Sequence, residues 1–239
     1  MAATAEALQT RLDEVRRKIA AAAQKSGRDP ETITLVAVSK THPSAAVRDA
    51  IKLGLTDFGE NRVQEAEDKI AAIGRSAARW HLIGHLQANK VRRAVKLFDV
   101  IHSLDSISLA HRLERACVES AREELQVLIQ VDLAGETTKS GIAATELPEL
   151  ARVVNECSRL KFMGLMLLPP YFEDPENVRP FFYRLRDLRD ELQAAGLFAG
   201  TSGELSMGMT HDFQVAIEAG ATMLRVGTAI FGEREQPPE

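Results

Sequence analysis

The chain has 239 residues, of which 45% are hydrophobic and 27% charged, so it is long enough to bury a sizeable core in one large domain or two small ones. A formal net charge of −4, without a basic patch interleaved with aromatic residues, argues against nucleic-acid binding. Neither a secretory signal nor an apolar run near the roughly 20 residues of a membrane span is found, which predicts a cytoplasmic protein with no membrane contact. Cys117 and Cys157 predict reduced core thiols rather than a zinc site.

The first predicted element is an amphipathic helix within residues 1–27, because Leu8, Leu12, Val15 and Ile19 recur at helical spacing before Gly27. Eight short apolar segments then alternate with helical patterns such as "HPSAAVRDAIKLG" and "SISLAHRLERACVESAREE". The predicted strands cover residues 33–39, 56–60, 79–84, 98–103, 125–133, 161–167, 203–208 and 222–227.

Repeated βα units imply parallel strands, and eight of them in 239 residues predict an α/β fold, a (β/α)₈ TIM-type barrel with an extra N-terminal helix. We expect a single domain over residues 1–239, with residues 228–239 as a C-terminal tail. A doubly wound open sheet is the alternative. The absence of a Gly-x-Gly-x-x-Gly motif after the first strand speaks against that alternative.

A lysine ends the first predicted strand, "ITLVAVSK". In this class of barrel the chemistry lies at the carboxyl ends of the strands. Strand alternation places Lys40 on the same face as Val36 and Val38. If that face points into the barrel, an enclosed site favours the neutral amine, which can attack a carbonyl and form a Schiff base. A lysine that simply ends a strand and faces water is the alternative interpretation.

The last two predicted strands end in turns of the kind that bind phosphate in such barrels. "ELSMGMTHDF" contains Ser206, and it places Thr210 where it could cap the following helix. "MLRVGTAIFG" contains Arg225, Gly227 and Thr228, and glycine lets the backbone approach a ligand closely. Each segment alone could be an ordinary turn, but together they predict a phosphate site.

A lysine opposite a phosphate site would hold an aldehyde that carries a phosphate, and pyridoxal 5′-phosphate is the obvious candidate. Arg225 shares the strand parity of Met223 and Gly227, so its side chain could point inward to the ring nitrogen of this cofactor. An arginine is a permanent donor and would leave the ring nitrogen unprotonated, which makes the cofactor a weaker electron sink.

Several longer motifs, in order, carry a family resemblance. They are "VAVSKTHP", "DFGENRVQEA", "WHLIGHLQANK", "KSGI", "GLMLLPP", "LSMGMTHDF" and "RVGTAIFGER". With them the chain resembles the pyridoxal phosphate homeostasis protein family. The resemblance implies a barrel similar to the N-terminal domain of bacterial alanine racemase. It also implies a protein that binds the cofactor, has no established reaction of its own and keeps the cofactor available to other enzymes.

The resemblance also implies roles for six residues in the matching motifs. They are Lys40 in a covalent imine with pyridoxal 5′-phosphate, Asn61 near the ring substituents, Ser206, Gly227 and Thr228 at the phosphate, and Arg225 at the ring nitrogen. This sequence departs from the common family pattern at three places. His42 stands where a second lysine is frequent, "GLMLLPP" lacks a small or hydroxyl residue after its methionine, and "MTHD" has threonine in place of serine before an unusual His211.

The function expected from the resemblance is intracellular cofactor homeostasis as a carrier or buffer, without substantial turnover and without catalytic or metal-binding residues. The expected recipients are pyridoxal-phosphate-dependent apo-enzymes, and the expected state is a monomer, because the dimerising second domain of the racemases is absent. The alternatives are a racemase-like enzyme or a class I aldolase that uses Lys40 directly. A racemase needs a second base, for which Tyr171 after the sixth strand is the candidate.

Three further residues have open interpretations. His81 and His85 straddle a strand end, which favours a packed His81 and a His85 near the functional end over a metal site. Lys139, after the fifth strand, is either a surface lysine or a transient second amine for the aldehyde.

Overall fold

The computed structural model describes residues 5–135, 140–198 and 202–233. Its strands are β1 (Thr34–Val38), β2 (Asp57–Glu60), β3 (Arg79–Leu82), β4 (Val100–Leu104), β5 (Leu125–Asp132), β6 (Ile142–Ala143), β7 (Leu160–Leu167), β8 (Glu204–Ser206) and β9 (Met223–Val226). Its α-helices are α1 (Ala5–Lys25), α2 (Ser44–Lys52), α3 (Val63–Ile73), α4 (Val91–Leu97), α5 (Ile107–Glu119), α6 (Leu147–Glu156), α7 (Arg179–Ala194), α8 (Phe213–Ala219) and α9 (Thr228–Phe231).

The strands form a closed parallel barrel. Hydrogen-bonded neighbours run in the order β4, β3, β2, β1, β9, β8, β7, β5, and β4 also pairs with β5, which closes the ring. The pairing of β1 with both β2 and β9 joins the first and last strands. The predicted (β/α)₈ barrel is therefore confirmed, and the open-sheet alternative is wrong. The two-residue β6 is an addition that pairs only beside the end of β5.

Helix α1 lies outside the ring of βα units, as predicted. Its buried face contains Leu8, Leu12, Val15 and Ile19, and it packs against α8 and α9. Arg11 fixes one end, because its Nε donates a hydrogen bond to the carbonyl oxygen of Ile230 at 2.7 Å. The N-terminal helix thus supports the short helix that follows β9.

The core has two parts. A large apolar cluster fills the layer between the strands and the helices, as expected for parallel strands that are covered on both faces. A small second cluster of Val100, Leu128, Met166 and Met223 lies apart from it. Several fully buried residues are polar, including His81, His102 and Ser206. Buried polar groups need partners, and those partners define the candidate site.

Neither cysteine forms a disulfide, and burial raises the pKa of both thiols to about 11, which keeps them protonated. Among the helices within the described ranges, none combines the length and the apolar character needed to cross a bilayer.

Candidate functional site

Lys40 lies in a tight turn at the carboxyl end of β1. The N–H of His42 donates to the carbonyl oxygen of Ser39 at 3.0 Å, which closes the turn around Lys40. Thr41 has a φ of 66°, a left-handed conformation that is unfavourable for a β-branched residue. The backbone N–H of Thr41 donates to the carboxylate of Glu65 on α3. The half-buried Lys40 is therefore presented by a strained turn that a neighbouring element holds in place.

A buried ion-pair cluster lies directly behind this turn, and we call Ser39, Glu60, Glu65 and Lys69 the Lys69 cluster. The ammonium group of Lys69 donates to the carbonyl oxygen of Ser39 at 2.6 Å, to Glu60 Oε1 at 2.7 Å and to Glu65 Oε1 at 2.8 Å. The hydroxyl of Ser39 donates to the same Glu60 Oε1 at 2.6 Å. Burial raises the pKa of the Glu60 carboxyl, although the interactions with Lys69 and Ser39 oppose the rise. This cluster was not predicted from the sequence, in which its one local signal is the i,i+4 spacing of Glu65 and Lys69.

Asn61 follows β2 at the same end of the barrel and is half-buried. Its backbone packs so closely on Gly84, after β3, that a Cβ atom on Gly84 would collide with the carbonyl oxygen of Asn61. The glycine of "HLIGH" therefore allows Asn61 to take its position next to the carboxyl end of β3.

Arg225, on β9, points into the barrel and is only 3% exposed. Its Nη1 donates to Ser206 Oγ at 2.6 Å and its Nη2 donates to the carbonyl oxygen of Leu167 at 2.7 Å. Burial lowers the pKa of this guanidinium to about 10, so it remains a cation at neutral pH. Within the described ranges no carboxylate lies within 4.0 Å of it. A buried cation without a close anion can accommodate an external acceptor, such as a ring nitrogen.

Ser206 ends β8 and is fully buried. Its hydroxyl accepts the hydrogen bond from Arg225 and lies 2.9 Å from His102 Nδ1. The hydroxyl has one proton to donate, so a direct hydrogen bond to a phosphate would require that this proton is not donated to His102. The phosphate role of Ser206 stays a prediction.

Thr210 carries an exposed hydroxyl in this region. It was expected to cap a helix, but that expectation is wrong, because α8 begins only at Phe213, with Asp212 in the N-cap position. Thr210 lies in the preceding loop, where its Oγ1 accepts a long hydrogen bond of 3.4 Å from the N–H of Ala229 in α9. The loop after β8 and the turn after β9 therefore meet at Thr210.

Gly227 and Thr228 form the junction between β9 and α9. A Cβ atom on Gly227 would lie 3.2 Å from the carbonyl oxygen of Val38 and 3.3 Å from its Cβ. Glycine therefore lets this junction pack against the end of β1, two residues before Lys40. The predicted amine and the predicted phosphate turn thus lie on neighbouring strands at one end of the barrel.

A polar network crosses the barrel interior below this end. His81 Nδ1 lies 2.8 Å from His102 Nε2, and His81 Nε2 lies 2.9 Å from Asp57 Oδ1 at the start of β2. The sequence predicted that His81 packs within its strand, and the structure confirms that it is buried. The hydrogen bonds of His81 to two other strands were not predicted.

Histidines and a tyrosine surround the same end of the barrel. His85 Nδ1 lies 3.0 Å from Ser140 Oγ and 3.5 Å from Asp105 Oδ2, so His85 does lie near the functional end. His42 stacks on Phe231 of α9, with ring centroids 5.0 Å apart. Tyr171 is 76% exposed, and its ring centroid lies 5.4 Å from that of His211. Lys139 lies outside the described residues.

Comparison with known proteins places this geometry in a family context. Residues 10–235 match the family model of the alanine racemase N-terminal domain. The pyridoxal phosphate homeostasis proteins of Aquifex aeolicus and Escherichia coli K12 are 43% and 44% identical to this chain, over 94% of its length and 97% and 95% of theirs.

Solved structures agree with these matches. PipY of Synechococcus elongatus with PLP bound is 37% identical, with a TM-score of 0.80 over 94% of this chain and all of that one. D-threo-3-hydroxyaspartate dehydratase from Delftia sp. HT23 is only 21% identical, with a TM-score of 0.64 over 92% of this chain and 59% of its own, and so shows a shared fold alone.

Proposed function

This chain belongs to the pyridoxal phosphate homeostasis protein family, and from that premise we propose that it is a reversible carrier of pyridoxal 5′-phosphate for other enzymes. The observation that supports the proposal best is the arrangement of Lys40, Arg225 and the turn at Gly227 on neighbouring strands at one end of the barrel. An amine, a buried cation and a cluster of phosphate donors match the aldehyde, the ring nitrogen and the phosphate of this one cofactor.

Lys40 provides the covalent anchor. Its Nζ is the amine that would hold the cofactor, and the chemistry that the cofactor would supply there is an aldehyde able to condense with an amine with loss of one water. The strained turn from Ser39 to His42 and its hydrogen bond to Glu65 fix the position of the lysine before the cofactor arrives. A fixed amine lowers the entropic cost of forming the bond.

The phosphate is bound by the two turns that meet at Thr210. Thr210 and Thr228 contribute hydroxyl donors, and Gly227 opens the first turn of α9, whose leading N–H groups have no partner within the helix. Asn61, at the carboxyl end of β2, borders the ring substituents. Ser206 contributes through Arg225, to which its hydroxyl is bonded.

Arg225 faces the ring nitrogen as a permanent donor and leaves that nitrogen unprotonated. A cofactor held by Arg225 in this way would be a weaker electron sink than one held by a carboxylate. This electronic arrangement is compatible with storage and release of the cofactor, and the choice between a carrier and an amino-acid racemase depends on whether a second acid–base group is present.

The racemase alternative depends on Tyr171. A racemase needs an acid–base group on each face of the substrate, and Lys40 could serve one face. Tyr171 is exposed beside His211, in the loop after β7, and is the tyrosine available for the other face. If the unaltered protein racemises alanine and both Lys40→Ala and Tyr171→Phe abolish this activity, the protein is a racemase and the carrier proposal is refuted.

The direct test begins with the absorption spectrum of protein loaded with pyridoxal 5′-phosphate. We expect a visible band that borohydride removes, with the reduced adduct on the peptide containing Lys40. Lys40→Ala should abolish the adduct. Lys52→Ala should leave it intact, since that side chain is 74% exposed on the outer helix α2. Recovery of the adduct on another lysine in the unaltered protein would refute the assignment.

The carrier role needs a second measurement. Loaded protein is mixed with a pyridoxal-phosphate-dependent apo-enzyme and a scavenger of free cofactor, and the return of that enzyme's activity is followed. Reactivation faster than free release indicates transfer by contact. Reactivation at the rate of free release would indicate that the protein buffers the cofactor but does not transfer it directly to the enzyme.

A further inference from the structure

Five side chains from five strands form one continuous hydrogen-bonded network through the barrel interior, which we call the interior network. It runs from Asp57 to His81 (2.9 Å), from His81 to His102 (2.8 Å), from His102 to Ser206 (2.9 Å) and from Ser206 to Arg225 (2.6 Å). His81, His102 and Ser206 are fully buried. The network connects the amino end of β2 with the guanidinium that faces the proposed cofactor.

The chemistry of its two ends fixes the direction of every hydrogen bond. Arg225 can only donate, so the hydroxyl of Ser206 accepts from it and is free to donate to His102 Nδ1. His102 must then carry its proton on Nε2, which donates to His81 Nδ1. His81 in turn carries its proton on Nε2, which donates to Asp57. Both histidines are neutral and share the Nε2–H tautomer, and each contact has one donor and one acceptor.

The opposite direction fails at the last step. If His102 Nδ1 carried the proton, His102 Nε2 would accept from His81 Nδ1. A neutral His81 would then present a bare Nε2 to the carboxylate of Asp57 at 2.9 Å, so that two acceptors would face each other. Only an extra proton on a fully buried histidine would remove this conflict.

The charges around the network agree with the forward direction. Burial lowers the pKa of both imidazoles, most strongly that of His102, which also lies near the cationic Arg225. Burial tends to raise the pKa of the Asp57 carboxyl, but the hydrogen bonds from His81 and Thr56 outweigh it and lower that pKa. Arg79 also lies 3.5 Å from this carboxylate. A cation at one end and an anion at the other orient the neutral donors between them.

We infer that Ser206 and His102 are positioning residues that hold Arg225 as a fixed donor toward the ring nitrogen, through an interior network that runs in one direction to Asp57. This inference rests on the proposed function. It assigns to His102 a role in binding the cofactor, although among the described residues the ring of His102 is hydrogen-bonded to the side chains of His81 and Ser206.

A matched pair of substitutions separates the two hydrogen bonds of the His102 ring, the one at Nδ1 to Ser206 and the one at Nε2 to His81. In His102→Asn the amide oxygen takes the place of the Nδ1 acceptor and keeps the bond to Ser206. In His102→Gln the amide nitrogen takes the place of the Nε2 donor and keeps the bond to His81, but the hydroxyl of Ser206 loses its acceptor. Both variants place a neutral amide in the same buried position, so a general loss of packing affects both.

The first measurement is made without cofactor. Nitrogen-15 NMR of the unaltered protein at neutral pH should show His81 and His102 as neutral Nε2–H tautomers. An Nδ1–H tautomer or a charged ring at His102 would overturn the direction of the network, whatever the outcome for cofactor binding.

The second measurement uses pyridoxal 5′-phosphate labelled with nitrogen-15 in the ring, together with unphosphorylated pyridoxal. For His102→Gln we expect a shifted ring-nitrogen resonance and roughly tenfold weaker binding of both compounds, as for the loss of one hydrogen bond to a charged group. His102→Asn should remain close to the unaltered protein in both respects. Weaker binding of the phosphate form alone would instead indicate a contact with the phosphate.

Three results would contradict the inference. One is equal behaviour of the Asn and Gln variants with equal loss of thermal stability, which indicates a merely structural role. Another is an unchanged ring-nitrogen resonance in His102→Gln. The third is the failure of the unaltered protein to bind pyridoxal 5′-phosphate or pyridoxal. That result refutes the proposed function itself, and it can be told apart from a failure of the network because the histidine tautomers are measured without cofactor.

Discussion

Replacing Lys69 by methionine tests whether the buried ion pair behind the Lys40 turn stabilises the fold. The side chain of Lys69 is 7% exposed and that of Glu60 is fully buried. Methionine keeps the unbranched stem and fills a similar volume, so the main loss is the ammonium group. That loss leaves a carboxylate in the interior without its counter-ion and also breaks the bond to the carbonyl oxygen of Ser39.

The expected loss of folding stability is large because the carboxylate of Glu60, which remains, has no access to water. Removing one partner of a buried ion pair typically costs about 3–5 kcal/mol, out of a total stability of about 5–15 kcal/mol. For a domain of this size that corresponds to a decrease in Tm of about 6–20 °C. The double variant Lys69→Met/Glu60→Gln should recover most of the loss, since a neutral amide can still accept from Ser39.

The pH dependence of the loss has a definite sign. The pKa of Glu60 is raised in the folded state, so its protonation favours folding, and this contribution is lost as pH rises through the folded-state pKa. Lys69 opposes that rise, so its removal raises the pKa further. The stability difference between Lys69→Met and the unaltered protein should therefore shrink as pH falls from 7 toward about 4.3, the ordinary value for a glutamate.

Urea denaturation at several pH values measures these differences. Lys52→Met is the control, because its ion pair with Asp49 is exposed and should contribute less than about 1 kcal/mol. A loss below about 1 kcal/mol in Lys69→Met at pH 7, or a difference that grows on acidification, would refute the electrostatic reasoning.

Two further substitutions address the loops of the site. Thr210→Ala removes an exposed hydroxyl from the proposed phosphate site, so it should weaken binding of pyridoxal 5′-phosphate by roughly fivefold or more and leave pyridoxal binding unchanged. Calorimetric titration with both compounds measures the two affinities, and an equal loss for both would exclude the phosphate role of Thr210. Gly84→Ala places a methyl group against the backbone of Asn61, so thermal unfolding should show a loss of about 1–3 kcal/mol, whereas unchanged stability would mean that the contact relaxes freely.

The sequence predicted the strands and Lys40 because the signals for both are local. Apolar runs with β-branched residues, bounded by turn residues, identify each strand, and its end follows from the same run. Strand parity also correctly placed Arg225 inside the barrel, because alternation is a property of one strand alone.

The contacts between strands were not predictable in the same way. His102 and Ser206 are 104 positions apart in sequence and meet only when the barrel closes. The hydrogen bond from Arg225 to Ser206 was not predictable either, because it joins β9 to the inward face of β8 and forms only in the folded sheet. Thr210 has an exposed hydroxyl in the loop before α8, and one-dimensional periodicity does not distinguish that position from a helix cap.

The pairing of β1 with β9 also has a consequence for biosynthesis. Lys40 follows the first strand and Arg225 lies on the last, and the register places Val36 directly opposite Arg225. A ribosome-bound chain that lacks β9 also lacks Arg225 and the turn at Gly227, so under the proposed function it cannot yet hold the cofactor, however well its earlier units have folded. Because a ligand stabilises only the state that binds it, a bound cofactor would favour the closed barrel over a chain in which the two ends of the sheet are still apart.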